Sequence, residues 1–175
     1  MGDVLRPGYA LRTGSSLDRA LLVKFMQRTY EEIHPQRDFH HLAHTVDQYL
    51  SNQTQLWWVE PIPNQSVAAR VPVAGATLPQ THKLSPIGCL WMGQGTDQVQ
   101  GDRHAYIFLL YVAPEHRRCG LGTALMHHAE RWATQRGDRQ ISLQVFCHNQ
   151  PALALYEKLG YHAQAILMAK PLVNP

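Results

Sequence analysis

The chain has 175 residues, the size of one ordinary domain and enough to enclose a hydrophobic core. Its formal net charge is only +3, and the basic residues are scattered except for Arg117-Arg118, which argues against a nucleic-acid-binding surface. No long apolar run and no charged-then-apolar leader occurs, so we expect neither a membrane span nor a signal peptide. The three cysteines lack Cys-x-x-Cys spacing and indicate reduced thiols in a cytoplasmic protein.

The first third of the chain predicts a short strand followed by two amphipathic helices. The strand covers residues 9–12, and Ser15 or Ser16 with Asp18 can cap the first helix. The apolar face of that helix consists of Leu17, Leu21, Phe25, Thr29 and Ile33. Pro35 ends this helix, and Asp38 can cap the second. The apolar face of the second helix consists of Phe39, Leu42, Val46 and Tyr49.

The middle of the chain predicts strands at 56–59 and 87–94. Residues 61–86 between them are rich in Pro, Ala, Val, Gln and Ser and poor in charge. Because this connection is long for a compact domain, we expect a flexible hairpin loop or lid. Three further predicted elements are a strand at 104–113, a helix at 120–136 and a closing strand at 161–170. The inward face of the predicted helix consists of Leu121, Leu125, Ala129 and Trp132.

An apolar run at 106–113 leads directly into a basic turn that contains two glycines. Such a run is typical of a strand buried on both faces, and Pro114 ends its hydrogen-bond ladder. Gly120 and Gly122 let the main chain come close to a ligand, and the free N–H groups of a helix starting near Leu121 favour negative charge. The segment therefore predicts a phosphate or pyrophosphate site.

This turn differs from two common nucleotide-binding loops. No Gly-Lys-Ser/Thr follows, as a Walker A loop requires, and Leu125 stands where a dinucleotide fingerprint has its third glycine. Instead, Arg117, Gly120 and Gly122 resemble the Gln/Arg-x-x-Gly-x-Gly/Ala motif of the GCN5-related N-acetyltransferase (GNAT) superfamily. In that family the loop holds the pyrophosphate of acetyl-CoA.

A second segment, at 141–161, makes the resemblance specific. Ile141, Leu143 and Val145 alternate as in a half-buried strand, and Asn149 can open a helix that ends before Gly160. The segment is similar to the strand, Asn-x-x-Ala, Leu-Tyr-Glu-Lys and Gly-aromatic signature of the same family. The two motifs occur in the family's order and spacing, while the rest of the chain fits only in its pattern of elements.

The resemblance implies an α+β, three-layer GNAT fold: a mixed, mostly antiparallel sheet of six to seven strands with helices on both faces, formed by residues 1–175 as one domain. It also implies that the strands near 104–113 and 141–145 splay apart, and that pantetheine lies along the first of them. The implied cofactor-binding residues are Leu110, Tyr111, Val112, Arg117, Arg118, Cys119, Gly120, Leu121, Gly122, Thr123, Asn149, Ala152 and Tyr156.

The implied function is transfer of an acetyl group from acetyl-CoA to a primary amine of a small molecule, peptide or protein. The amine attacks directly, so neither a metal nor a covalent enzyme intermediate is needed. Tyr156 matches the family tyrosine that protonates or hydrogen-bonds the departing thiolate, although a tyrosine on an amphipathic helix is otherwise a core residue. A GNAT-like domain that senses acyl-CoA without turnover is the alternative. A longer acyl donor and a homodimer remain open.

The general base is not evident from the sequence. Some family members place a glutamate in one of the two splayed strands, but the matching positions here are Tyr106 or Phe108 and Gln144. The candidates are His104, Glu31 or Glu32 near the end of the first helix, and ordered water, with His104 and Glu32 ranked as the side-chain candidates.

Two other residue patterns contain reactive side chains but do not predict a functional site. His40-His41-x-x-His44 lacks the glutamate and the distant ligands of a zinc site, so we expect no metal. Cys147 and His148 are neighbours whose side chains point apart in an extended segment, which argues against a nucleophile and base pair.

Overall fold

The computed structural model describes residues 3–62 and 85–172. Most of the predicted loop at 61–86 lies outside these residues. The described residues form six strands and four α-helices in the following chain order: β1 (Asp3–Arg6), β2 (Tyr9–Thr13), α1 (Arg19–Ile33), α2 (His41–Tyr49), β3 (Gln55–Pro61), β4 (Gly88–Thr96), β5 (Arg103–Val112), α3 (Leu121–Gln135), β6 (Ile141–Leu143) and α4 (Gln150–Lys158). They fall into two compact units, Met1–Gln144 and Val145–Pro175. No helix among the described residues is long and apolar enough to cross a membrane.

The first unit is built on a six-stranded sheet whose spatial order is the chain order, β1 to β6. Consecutive strands from β1 to β5 are antiparallel, and β6 alone is parallel to its neighbour β5. Trp58 of β3 packs edge-to-face on Phe25 of α1, whereas the preceding residue, Trp57, packs on Trp132 of α3. Since neighbouring strand residues point to opposite faces, helices cover both faces of the sheet. This is the predicted α+β architecture.

The larger core lies between the sheet and the helices α1 and α2. Phe25 is 1% exposed and meets Trp58 and Tyr111 edge-to-face, with ring centroids 5.1 and 5.4 Å apart. Leu42 and Val46 of α2 complete this core. The prediction was wrong for Leu17, which is 93% exposed. Leu17 belongs to a short 3₁₀ turn before α1, so it is out of phase with the buried face.

The helix starts follow local capping chemistry. The Ser15 side chain accepts a hydrogen bond from the N–H of Leu17, and the Asp18 carboxylate accepts one from the N–H of Ser15, which forms a capping box. Helix α2 begins at His41, later than predicted, and Asp38 accepts a hydrogen bond from the N–H of His40 instead of capping the helix.

Helix α3 covers the opposite face of the sheet. Its buried residues are Leu121, Leu125, Met126, Ala129 and Ala133. Trp132, which was expected to point inward, is only partly buried, and the guanidinium of Arg136 lies 4.3 Å from its ring centroid.

The sequence predictions were also wrong at both ends of the chain. Strand β1 was not predicted, because its four residues are too few to show a period. Residues 161–172, which include the predicted closing strand, contain neither helix nor strand. Their apolar residues Ile166, Leu167 and Met168 are consecutive and 80–88% exposed. A continuous apolar run lacks the alternation that defines one buried face of a strand.

Candidate active site

Strand β5 changes register halfway along its length. Trp91 of β4 faces Leu109, but the next residue, Met92, faces Ile107, so Phe108 is an extra residue in β5. This is a β-bulge, which bends and twists the strand that carries it. The pairing of β6 covers only residues 105–107 of β5 and stops beside the bulge. Within the described residues, the second half of β5 therefore has no strand along that edge.

The backbone groups on this open edge can be assigned from the ladder with β4. The N–H of Ala113 donates to the carbonyl of Ile87 at 2.7 Å. Hydrogen-bonded positions alternate in an antiparallel pair. The backbone N–H and C=O of Tyr111 therefore also point toward β4, whereas those of Leu110 and Val112 point away from it. The side chain of Tyr111 is buried in the core against α1 and α2. Of the three predicted pantetheine contacts, Leu110 and Val112 thus present their backbone to the open edge.

The turn after β5 runs straight from this edge to the start of α3. Residues Pro114–His116 form one 3₁₀ turn, and left-handed backbone follows at Arg118 (φ 63°) and Gly120 (φ 83°). The Sγ of Cys119 donates to the carbonyl of His116 at 2.8 Å, and this cysteine is exposed. The first N–H groups of α3, from Leu121 onward, have no partner within the helix and form its positive end.

Arg117, the first residue of the predicted phosphate motif, is held by three acceptors. Its Nε donates to the carbonyl of Val112 at 2.7 Å, and its Nη2 donates to both carboxylate oxygens of Glu32 at 2.7 and 3.0 Å. The hydroxyl of Tyr111 donates to the same carboxylate at 3.2 Å. Burial and then the Glu32 carboxylate raise the pKa of Tyr111. Arg117 therefore ties the end of β5 to helix α1.

The β1–β2 hairpin also reaches the turn, a contact that the sequence did not reveal. The hydroxyl of Tyr9 lies 3.0 Å from Nδ1 of His116, and the two rings meet edge-to-face. The guanidinium of Arg6 lies against Gly120: a Cβ on that glycine would be 2.8 Å from Nη1 of Arg6. Glycine at this position permits the approach, and its left-handed backbone (φ 83°) favours glycine independently. Neither contact has a local sequence signal, because each joins residues more than one hundred positions apart.

The two predicted bases lie at opposite ends of β5. His104 is buried near the start of the strand, and its Nε2 lies 2.7 Å from Oγ of Ser142. Its Nδ1 is buried and has no hydrogen-bond partner among the described residues. Glu32 lies near the other end, where it contacts Tyr111 and Arg117. The structure therefore does not bring the two candidates together.

The second motif forms the helical part of the second unit. Asn149 caps α4: its Oδ1 accepts a hydrogen bond from the N–H of Ala152 at 3.3 Å. Ala152 and Tyr156 are four residues apart and share one face of the helix. Burial raises the pKa of Tyr156 to about 12. The phenol is consequently protonated throughout the physiological range.

No group of three or more His, Cys, Asp and Glu side chains in the described parts of the chain could hold a metal ion.

Comparison with known proteins gives the family. Residues 22–161 match the model of the Acetyltransferase (GNAT) family, which is most of the chain. The chain belongs to this family. The GNAT match includes both predicted motifs, so the resemblance inferred from the sequence is confirmed.

GNAT relatives and solved GNAT folds agree with this assignment. The uncharacterised N-acetyltransferase YycN of Bacillus subtilis is 33% identical over 86 residues, which are 49% of this chain and 54% of YycN. A GCN5-related N-acetyltransferase from Ralstonia eutropha has 23% identity and a TM-score of 0.62, covering 94% of this chain and 99% of that one. A predicted acetyltransferase from Clostridium acetobutylicum, solved with acetyl-CoA, has 17% identity and a TM-score of 0.67, covering 93% and 96%.

The chain spans about half the length, or less, of the curated relatives it matches. At these identities the two structures show that the fold is shared.

Proposed function

We propose that this GNAT protein transfers an acetyl group from acetyl-CoA to a primary amine by direct attack. The observation that carries the proposal is the open edge of β5, where Leu110 and Val112 face away from β4 and lead directly into the glycine turn and the start of α3. An extended chain could bind the N–H groups of Leu110 and Val112 and the carbonyl of Leu110 as an added strand, whereas the carbonyl of Val112 already accepts from Arg117. A phosphate attached to that chain would reach the helix N-terminus.

The residues present fit acetyl-CoA. Gly120 has left-handed backbone, which glycine adopts without strain, and it has no Cβ of its own to keep a ligand away from the main chain. The N–H groups at residues 121–123 would hold the pyrophosphate, and the edge of β5 would hold pantetheine. When bound, acetyl-CoA supplies an acetyl thioester that an amine can attack.

The chain's own contribution to the reaction is positioning and charge stabilisation. A backbone N–H of Leu110 or Val112 can donate to a carbonyl oxygen on which negative charge grows during attack. By the family resemblance, Tyr156 gives a proton to the departing thiolate. The phenol is protonated at neutral pH, so its hydroxyl is available to donate to the charge that develops at sulfur.

The proton on the incoming ammonium has no carboxylate acceptor at the positions of the splayed strands. Glu32 already accepts hydrogen bonds from Arg117 and Tyr111, which argues against its use as a free base. We therefore propose that water carries this proton to solvent, with His104 as the side-chain candidate.

The cofactor site is tested by Gly120→Glu, which adds bulk and negative charge where the phosphate would bind. We expect calorimetry to show no CoA binding in this variant and clear binding in the wild type. Gly101→Glu is the matched control, because Gly101 also has left-handed backbone (φ 76°) but lies in the turn between β4 and β5. Equal CoA affinity in wild type and Gly120→Glu would contradict the assignment of the turn.

Turnover is tested by following acetyl-CoA consumption with polyamines, aminoglycosides, amino acids and peptides. Release of CoA that depends on one class of amine would support the enzyme and identify its acceptor. Tight CoA binding without turnover on any of them would favour the acyl-CoA sensor instead.

A further inference from the structure

Arg6 has an unusual electrostatic position. Its guanidinium lies against the backbone of Gly120, the residue that precedes the first turn of α3. That end of a helix carries partial positive charge, so a cation there is destabilising. Arg118 adds a second positive charge two residues before Gly120.

No carboxylate among the described residues compensates this charge. The ion pairs of the described chain involve Arg12, Arg19, Arg117, Arg136 and two histidines, but not Arg6. Of the two arginines in the motif, Arg117 already donates through Nε and Nη2 to Val112 and Glu32, and Arg118 is in no ion pair of the described chain. Outside the motif, Arg6 is the arginine whose guanidinium lies against Gly120, and it too has no ion pair among the described residues.

The hairpin that carries Arg6 is fixed to the turn by a second contact. Arg6 and Tyr9 are opposite each other where β1 meets β2, and Tyr9 is bound to His116 in the turn. The ladder between β1 and β2 is irregular between Val4 and Arg6, which redirects the strand just before the arginine. The approach of Arg6 to Gly120 thus follows from the fold of the hairpin.

We propose that Arg6 is a phosphate-binding residue of the CoA site, supplied by the N-terminal strand. This inference rests on the proposed function. A guanidinium presents several N–H donors in one plane and can bind two oxygens of a phosphate at once. A phosphate bound between the first N–H groups of α3 and Arg6 would offset the positive charge of both the helix N-terminus and the guanidinium.

The test compares wild type, Arg6→Gln and Arg6→Lys by calorimetry with CoA and with pantetheine, which has no phosphate. Charged hydrogen bonds contribute about 1.5–3 kcal/mol, so we expect Arg6→Gln to weaken CoA binding about tenfold to a hundredfold. Arg6→Lys should recover part of this loss, because the charge is kept and the planar fork is not. Pantetheine should bind equally to all three proteins.

Arg131→Ala is the matched control, since it removes an exposed arginine that lies on α3 but far from the start of that helix. Dephospho-CoA, which lacks the 3′-phosphate, identifies the phosphate that Arg6 contacts. If Arg6→Gln also binds dephospho-CoA more weakly than wild type does, Arg6 contacts the pyrophosphate. If the two proteins bind dephospho-CoA equally, Arg6 contacts the 3′-phosphate. Thermal melting of each variant shows that the hairpin still folds.

Unchanged CoA affinity in folded Arg6→Gln, with binding still abolished by Gly120→Glu, would overturn the role of Arg6 alone. If wild type itself failed to bind CoA, the proposed function would fall, and Arg6 with it. An equal loss of pantetheine and CoA affinity in Arg6→Gln would show that Arg6 supports the fold and is not a phosphate ligand.

Discussion

Single residues of this GNAT protein take partners that the motif alone does not specify. Arg117 occupies the first motif position, yet it donates both to the nearby carbonyl of Val112 and to the carboxylate of Glu32, which is 85 positions away in sequence. The glycines of the turn were predictable, because left-handed backbone and close approach leave a local signal in the sequence. The partners of Arg6, Tyr9 and Arg117 were not, because they depend on how distant elements meet.

We expect Tyr156→Phe to lower kcat about a hundredfold and to leave the KM for acetyl-CoA nearly unchanged, because the hydroxyl acts on charge that develops at sulfur. Burial raises the pKa of this phenol from 10.0 to about 12. The protonated form is therefore favoured by folding, and this contribution to stability is full below pH 10 and is lost as the pH rises through about 12. The ultraviolet titration of wild type should contain a late phenol component that Tyr156→Phe lacks.

Steady-state kinetics and the titration test different parts of that prediction. Wild-type turnover in Tyr156→Phe would reduce Tyr156 to a packing residue. A titration in which no phenol is delayed beyond ordinary tyrosine would contradict its burial.

The water route predicts how the rate depends on pH. An attacking amine must be neutral, and a lysine-like amine has a reference pKa of ~10.4, so kcat/KM should rise through the alkaline range. The inflection should shift with the basicity of the amine and should survive both His104→Ala and Glu32→Gln. An inflection that stays fixed for all amines and disappears in one of these variants would identify that residue as the base.

Whole elements were predicted well where they bury a periodic apolar face. Helices α1, α2 and α3 and strands β3, β4 and β5 all lie where their patterns indicate. The failures have two causes. Leu17 continues the apolar repeat of α1 but lies in a 3₁₀ turn before the helix starts. Strand β1 is too short to show a period and the apolar run 165–169 has no alternation, so neither contains a repeat for the sequence to show.

Helix α1 gives a test of this packing. Phe25→Ala should lower the free energy of unfolding by about 3–5 kcal/mol, because it opens a cavity between Trp58 and Tyr111. Leu17→Ala, in the exposed turn before the helix, should change it by less than about 0.5 kcal/mol. Urea unfolding measures both. Similar losses of unfolding free energy in the two variants would contradict the structure, in which Phe25 is buried and Leu17 is exposed before α1 begins.

At the scale of the molecule, two local motifs were enough to identify the fold. The turn after β5 and the segment around α4 occur in the GNAT order, and that order implied a mixed sheet covered by helices on both faces. The acceptor could not be inferred in the same way. The amine has no comparable motif, and the described chain leaves out residues 63–84, which lie between β3 and β4.

The bulge at Phe108 limits how β5 can change in evolution. Before it, the backbone of odd-numbered residues such as Ala105 and Ile107 faces β6; after it, the backbone of even-numbered residues, Leu110 and Val112, faces that same side. Removing the extra residue alone would leave a regular ladder in which Leu110 and Val112 still face away from β4, but it would remove the bend and added twist beside the point where β6 ends. Homologues that bind the same ligand along this bent edge should therefore keep the extra residue.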